Sequence, residues 1–229
     1  MQEHSRWHTL ENAEQVAKVV CQRILNAAQK AIQTHGQFKL VLAGGSTPEK
    51  IYRLLATSQA DWQHWYIYHG DERCLPQNHP DRNSVMATQA FLQSVSIPET
   101  QIFNIPAELT PEQAAQHYHD VVANALPFDL VLLGMGEDGH TASLFPGHLH
   151  NEEDLTHAVH NSPKPPPQRV SLSAKALSQT HELIFIVTGS NKQDAVKQWR
   201  SGECLPVATI QSLGTIDIYL DQLANPTEA

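Results

Sequence analysis

Short apolar runs that end at glycines, each followed by a helix-forming segment, recur along this chain and leave it few folds to adopt. Phe38 to Ala43 is such a run. It ends in Gly44-Gly45, and Ser46-Thr47-Pro48 then opens a segment with Ile51, Tyr52, Leu54 and Leu55 at helical spacing. The hydroxyl residues read as a helix cap, with proline tolerated in the first turn. Upstream, Val16, Val19, Val20, Ile24, Ala27 and Ala31 predict an amphipathic helix over 11–34, stopped by Gly36. Downstream, Trp65 to Tyr68 reads as a strand, Gly70 to Asp81 as a polar loop and Asn83 to Gln93 as a helix. Glu112 to Ala125 reads as a helix and Phe128 to Leu133 as a buried strand. Val170 to Leu172, Leu183 to Val187 and Ile216 to Leu220 read as further strands, and Gln193 to Trp199 as a helix. Strands alternating with helices predict an α/β fold: a mostly parallel, Rossmann-like sheet with helices on both faces. No repeat or low-complexity tract divides the chain, so residues 1–229 read as a single α/β domain. The one long irregular stretch, Gly147 to Gln168, ends in Pro163-Lys164-Pro165-Pro166-Pro167. Loops of that length are usually functional or mobile.

Charge and cysteine content narrow the function classes. The formal net charge is -9, which opposes non-specific nucleic-acid binding. An anionic small molecule remains compatible, because a few cations and backbone N–H groups suffice for a local positive pocket. Cys21, Cys74 and Cys204 are odd in number and form no CxxC pair, which argues against a disulfide framework or a zinc-thiolate site. The stretch Met1 to Trp7 lacks a leader pattern, and no apolar run reaches spanning length. The cytosol is the default location, with no membrane and no obligate protein partner implied.

In open α/β sheets ligands bind beyond the carboxyl ends of the strands, and three polar clusters fall there. Gly44-Gly45-Ser46-Thr47 is either a phosphate-binding turn at a helix N-terminus or a plain capped turn; no Gly-Lys-Ser/Thr makes it a Walker loop. Gly134-Met135-Gly136-Glu137-Asp138-Gly139 matches G-x-G-x-x-G after a strand. A dinucleotide loop should open a long helix, however, and here Pro146-Gly147 arrives almost at once. The alternative is chemical: His140 as a general base, with Asp138 two residues away to orient or tune it. Asp71, Glu72 and Arg73 either bind a polar substrate or form a surface ion pair. Cys74 has no partner histidine by spacing and reads as a structural thiol. Arg169 and Lys192 are each a phosphate ligand or an ordinary surface charge. There are 14 histidines, and the pairs His148/His150 and His157/His160 invite a metal reading. A zinc site needs three or four convergent ligands, and there is no HExxH, so these read as loop histidines.

Taken together, Leu42 to Pro48, Gly70 to Pro76 with Asn83, and Leu133 to Gly147 occur in the order found in the 6-phosphogluconolactonases, which the chain resembles over nearly its whole length. That family is itself similar to the glucosamine-6-phosphate deaminases. Arg169-Val170-Ser171 and Gly189 to Lys192 match weaker later blocks. The deaminases continue after Asp-Gly-His with a stretch whose glutamate serves ring opening. Ser143-Leu144-Phe145-Pro146 has no acid there, which favours the lactonase over a deaminase-like isomerase or a non-catalytic sugar-phosphate binder. Ala43, His69 and Arg82 depart from residues common in the family.

The resemblance implies a sugar-phosphate isomerase/deaminase type of α/β fold and a sugar-phosphate lactone as substrate. It implies that the phosphate sits on Gly44, Gly45, Ser46 and Thr47 and is clamped by Arg169 and Lys192, with Asp71 beside the substrate. His140 would activate water, Asp138 would orient His140, and Arg73 would support the oxyanion. A lactone is an activated ester, so this scheme calls for no metal and no organic cofactor.

Overall fold

A computed structural model describes residues 5–226; Met1 to His4, on which the leader reading partly rests, lie outside the described residues. The first half of the chain contributes β1 (Ser5–Leu10), α1 (Ala13–His35), β2 (Phe38–Leu42), α2 (Ser46–Leu55), β3 (Trp65–His69), β4 (Asp71–Arg73), α3 (Asn83–Ala90) and β5 (Ile102–Phe103). The second half contributes α4 (Pro111–Ala125), β6 (Phe128–Gly134), β7 (Thr156–Val159), β8 (Arg169–Leu172), α5 (Ala174–Ser178), β9 (Thr180–Val187), α6 (Gln193–Arg200), α7 (Pro206–Thr209) and β10 (Thr215–Asp221).

Seven strands form one sheet in the order β1-β10-β9-β6-β2-β3-β5, and every pairing in it is parallel. The predicted α/β architecture is therefore present. Successive side chains on a strand face opposite ways, and here both faces are buried. Leu130 and Leu132 join Leu40, Leu42 and Ile67 under α1, α2 and α3. Val131 and Leu133 join Val41, Leu183 and Phe185 under α4 and α6. Continuous apolar runs such as Phe128 to Leu133 follow from that double covering.

The ends of α1 obey local rules. The side chain of Asn12 accepts from the Gln15 N–H at 3.0 Å, and Gly36 closes the helix at φ 83°. The start of α2 differs from the expected hydroxyl cap. Its cap residue is Gly45 at φ 113°, and no side chain caps the first turn. The Thr47 hydroxyl is instead 2.7 Å from that of Thr188.

Of a second, antiparallel sheet of order β4-β8-β7, the sequence predicts the central strand β8, at Val170 to Leu172, but not its two neighbours. The expected polar loop at Gly70 begins with β4, and the expected long loop after Gly147 contains β7. Both strands are too short for period-two patterning, and Asp71-Glu72-Arg73 has no apolar residue to announce one. The edge strand β1 was missed for a related reason. Its Arg6 and His8 side chains reach Asp217 of β10 at 2.6 and 2.7 Å, so polar pairing rather than an apolar run holds it.

The topology sets the position of the site. From β2 the chain moves outward through β3 to β5, then returns to β6 on the other side of β2 and moves through β9 to β10. The strand order reverses between β2 and β6, and a crevice opens at their carboxyl ends.

Candidate active site

A cleft of about 470 Å³ occupies that crevice. Gly44 and Gly45 line it from the end of β2, and Gly134, Gly136, Glu137 and His140 from the end of β6. Asp71, Arg73 and Arg169 come from the small sheet, Asn83 from α3, Lys192 from the turn after β9, and Lys164 from the proline-rich segment.

The loop after β6 is a tight turn built around one pair of side chains. The Gly136 N–H donates to the His140 carbonyl at 2.8 Å, and the Gly139 N–H to the Gly136 carbonyl at 3.1 Å. Gly139 has φ 78° and packs against Leu205. That turn places Asp138 Oδ1 2.5 Å from His140 Nδ1 and 3.2 Å from the His140 backbone N–H. Burial pushes the Asp138 carboxyl up, but the hydrogen bonds from His140 outweigh it and hold the group below its usual value. Gly136 has a definite part in this. A Cβ there would lie 2.0 Å from His140 Nδ1 and 2.6 Å from Asp138 Oδ1. The glycine pattern of this motif thus makes room for an imidazole–carboxylate pair, not for a pyrophosphate. The His140 ring also rests against Phe145, with centroids 4.7 Å apart.

The small sheet supplies the next wall. Asp71 and Arg73 are two apart on β4 and share a face; Arg73 lies directly across from Arg169 on β8. Opposed like charges on a sheet repel, so this face favours an anion nearby. Asp71 Oδ2 accepts from the Ser143 hydroxyl at 2.6 Å, and Oδ1 accepts from Asn83 Nδ2 at 3.0 Å. Burial pushes the Asp71 carboxyl above its usual value, against the pull of Ser143 and Arg169. Glu72 points the other way and accepts from the N–H groups of Asn83 and Ser84 at 2.7 and 2.8 Å, capping α3. Asn83 in turn fills the space beside Gly44, where a Cβ would lie 2.2 Å from its Oδ1. One contact chain therefore joins the end of β2, the small sheet and the loop after β6.

Arg169 is buried, and its guanidinium donates to the carbonyls of Lys164, Pro165 and Pro166 at 3.1–3.3 Å. Its Nη1 is 3.9 Å from Asp71 Oδ2. Lys192 Nζ is 4.0 Å from Glu137 Oε2, and burial lowers this ammonium's pKa. Lys164 pairs with Glu137 Oε1.

Of the residues expected from sequence, Gly44, Gly45, Asp71, Arg73, His140, Arg169 and Lys192 line the cleft. Asp138 stands just behind, through His140. Ser46 is exposed and Thr47 buried at the α2 start, and neither side chain is on the cleft wall. Four contributors were not expected: Asn83, Ser143, Glu137 and Lys164. Asn83, Glu137 and Ser143 lie in or beside the blocks on which the resemblance rests, and Lys164 is the lone charge in a proline run.

Arg82 is turned away from the cleft. Its guanidinium is buried, 3.4 Å from Glu72 and 3.0 Å from Glu108, and donates to the Ile105 carbonyl at 2.7 Å. His69 is buried nearby, and desolvation lowers its pKa. Burial pushes the Cys74 thiol up to about 11, so it is protonated near neutral pH and is a poor nucleophile. Among the described residues, no group of three or more His, Cys, Asp or Glu converges as metal ligands, and no helix is long and apolar enough to cross a membrane.

Comparison with known proteins agrees with this geometry. The family model of glucosamine-6-phosphate isomerases/6-phosphogluconolactonase matches residues 11–218. The chain is 37% identical to the 6-phosphogluconolactonase of Synechocystis over 212 residues, covering 85% of this chain and 86% of that one. It is 34% identical to the 6-phosphogluconolactonase of Rattus norvegicus, covering 91% and 86%. The crystal structure of 6-phosphogluconolactonase from Thermotoga maritima superposes with a TM-score of 0.90 at 25% identity, over 95% of this chain and 100% of that chain. With its sheet order, its switch-point cleft and a match of that length, the chain belongs to the glucosamine-6-phosphate isomerase/6-phosphogluconolactonase family.

Proposed function

We propose that this chain hydrolyses 6-phospho-D-glucono-1,5-lactone to 6-phosphogluconate, the ring-opening step of the oxidative pentose phosphate branch, with His140 as general base. The observation that carries this reading is the Asp138–His140 pair, 2.5 Å apart, opening onto a cleft walled by Arg73, Arg169, Lys164 and Lys192. A base beside a field of cations suits an anionic ester better than a neutral one.

With Nδ1 held by Asp138, the Nε2 lone pair of His140 takes a proton from water. The water oxygen bonds to the lactone carbonyl carbon and a tetrahedral oxyanion forms. Arg73 and backbone N–H groups of the glycine loops stabilise that charge. The bond from that carbon to the ring oxygen then breaks, and the ring oxygen takes the proton back from His140. Asp138 orients the imidazole and steadies its charged form. The uncapped N–H groups at Gly45 to Thr47, with Arg169 and Lys192, receive the phosphate. Asp71, pinned by Ser143 and Asn83, shapes the floor of the cleft. The reading assigns this chemistry to one domain over 1–229, working in the cytosol on a free sugar phosphate, without nucleic acid, membrane or protein partner.

The test is lactone disappearance measured against the spontaneous rate. Replacing His140 with Ala should lower turnover about 10²–10⁴-fold and leave 6-phosphogluconate binding measurable by calorimetry. Near-normal turnover by that variant ends the assignment.

A further inference from the structure

The proline-rich segment at 162–168 is tied down at its base and presents one charge at its tip. Arg169 donates to three of its carbonyls, the Ser162 N–H donates to the Pro167 carbonyl at 3.0 Å, and the Ser162 hydroxyl donates to the Lys164 carbonyl at 2.8 Å. The Lys164 side chain, half exposed, reaches the cleft and bonds Glu137 Oε1. The other oxygen of Glu137 faces Lys192 across 4.0 Å. A carboxylate therefore stands between two ammonium groups on the wall of a cleft whose substrate carries a phosphate. Glu137 is exposed, and among the described residues its ion pairs are with those two lysines.

We infer that Lys164 is a phosphate-binding residue carried by the proline-rich segment, and that Glu137 is the counter-ion it gives up when the substrate phosphate enters. The inference rests on the lactonase reading above and adds a specificity determinant to it. A phosphate near neutral pH carries more charge than a carboxylate and offers three acceptor oxygens. It can satisfy both lysines where Glu137 engages Lys164 closely and Lys192 only at a distance. Exposed ion pairs are weak, so releasing Glu137 to solvent costs little. The lysine pair thereby favours phosphorylated over unphosphorylated lactones, while Glu137 keeps the empty cleft from accumulating uncompensated positive charge.

The experiment uses the full chain and three variants: Lys164→Met, Lys164→Arg and Glu137→Gln. Inorganic phosphate and 6-phosphogluconate are titrated calorimetrically. Kinetics are run on 6-phosphogluconolactone and on glucono-1,5-lactone, and thermal melts check each fold. Lys164→Met should weaken both anions about tenfold and cut the preference in kcat/KM for the phosphorylated lactone by about the same factor, chiefly through KM. Lys164→Arg should recover most of that loss. Glu137→Gln should tighten inorganic phosphate about threefold. Unchanged anion affinity in Lys164→Met, or weaker phosphate binding in Glu137→Gln, overturns the inference. If the parent chain fails to hydrolyse the lactone, the functional reading falls separately, and the phosphate titrations decide the lysine assignment by the same criteria.

Discussion

At the end of β6, His140 meets one carboxylate and opens onto a cleft walled by four cations; between α4 and β7, His150 and His157 meet each other. The second site is a hollow of about 360 Å³, also lined by Glu112, His119 and Asp154. Its two imidazoles stack with centroids 4.3 Å apart. Burial and then the neighbouring His150 push His157 down to about 4, and burial and then His148 lower His150. Nearby His160 is tied outward to Glu112 at 2.6 Å. The cleft is lined by one histidine, with a carboxylate on its Nδ1, and the hollow by three, of which His150 and His157 meet each other. A carboxylate on Nδ1 fixes the tautomer and supports the charged ring. An imidazole stacked on an imidazole is held neutral and does structural work. The fold splits the sequence pairs His148/His150 and His157/His160: His150 stacks on His157, and His160 turns to Glu112.

That contrast can be broken at three points. The largest effect is expected from Gly136→Ala. Its Cβ would collide with both members of the Asp138–His140 pair, and misplacing a catalytic group by about 1 Å costs about a hundredfold in turnover. Single-turnover rates with a thermal melt should show activity lost well before the fold; retained activity would mean the pair need not be held this way. Next is Asp138→Asn, which keeps a hydrogen-bond acceptor and removes the charge. Turnover should fall about tenfold with substrate affinity little altered. An effect as large as that of His140→Ala would instead mark Asp138 as taking part directly in the chemistry.

The smallest effect lies in the stacked pair and concerns stability. His157 is depressed when folded and ordinary when unfolded, so the unfolded chain binds more protons as the solution is acidified. Its stabilising contribution is present above pH 6.5 and lost as pH falls through the window down to about 4. Denaturant melts across that window should show a loss of about 2 kcal/mol that His157→Gln abolishes. An equal slope in both proteins would mean the imidazole stack is not the acid-sensitive element.

The legibility of each part follows its patterning. Strands buried on both faces write long apolar runs, so β2, β6 and β9 were readable, and with them the parallel sheet. Of the small sheet only β8 was, through the alternation Val170-Ser171-Leu172; β4 consists of Asp71, Glu72 and Arg73, and β7 is four residues inside an irregular stretch. Among site residues, His140 and Asp138 stood out through their glycine-rich setting. Asn83 and Ser143 did not, because an amide or a hydroxyl carries no pattern until its partners, Asp71 and Gly44, are beside it. Thr47 was overvalued as a cap, since capping depends on backbone angles that Gly45 takes over at φ 113°.

By itself the sequence determined the alternation of strand and helix, the placing of glycine-rich loops at strand ends, and the local Asp138-Gly139-His140 turn. All of these follow from contacts within a few residues or from simple periodicity. The tertiary structure alone decided which loops meet at the β2–β6 switch point and that Arg73 faces Arg169. It also decided that Arg82 is buried against Glu72 and Glu108, and that a lysine in a proline run reaches Glu137 across the cleft. Those outcomes depend on pairings between residues 10 to 96 positions apart, and no local pattern encodes a partner so distant.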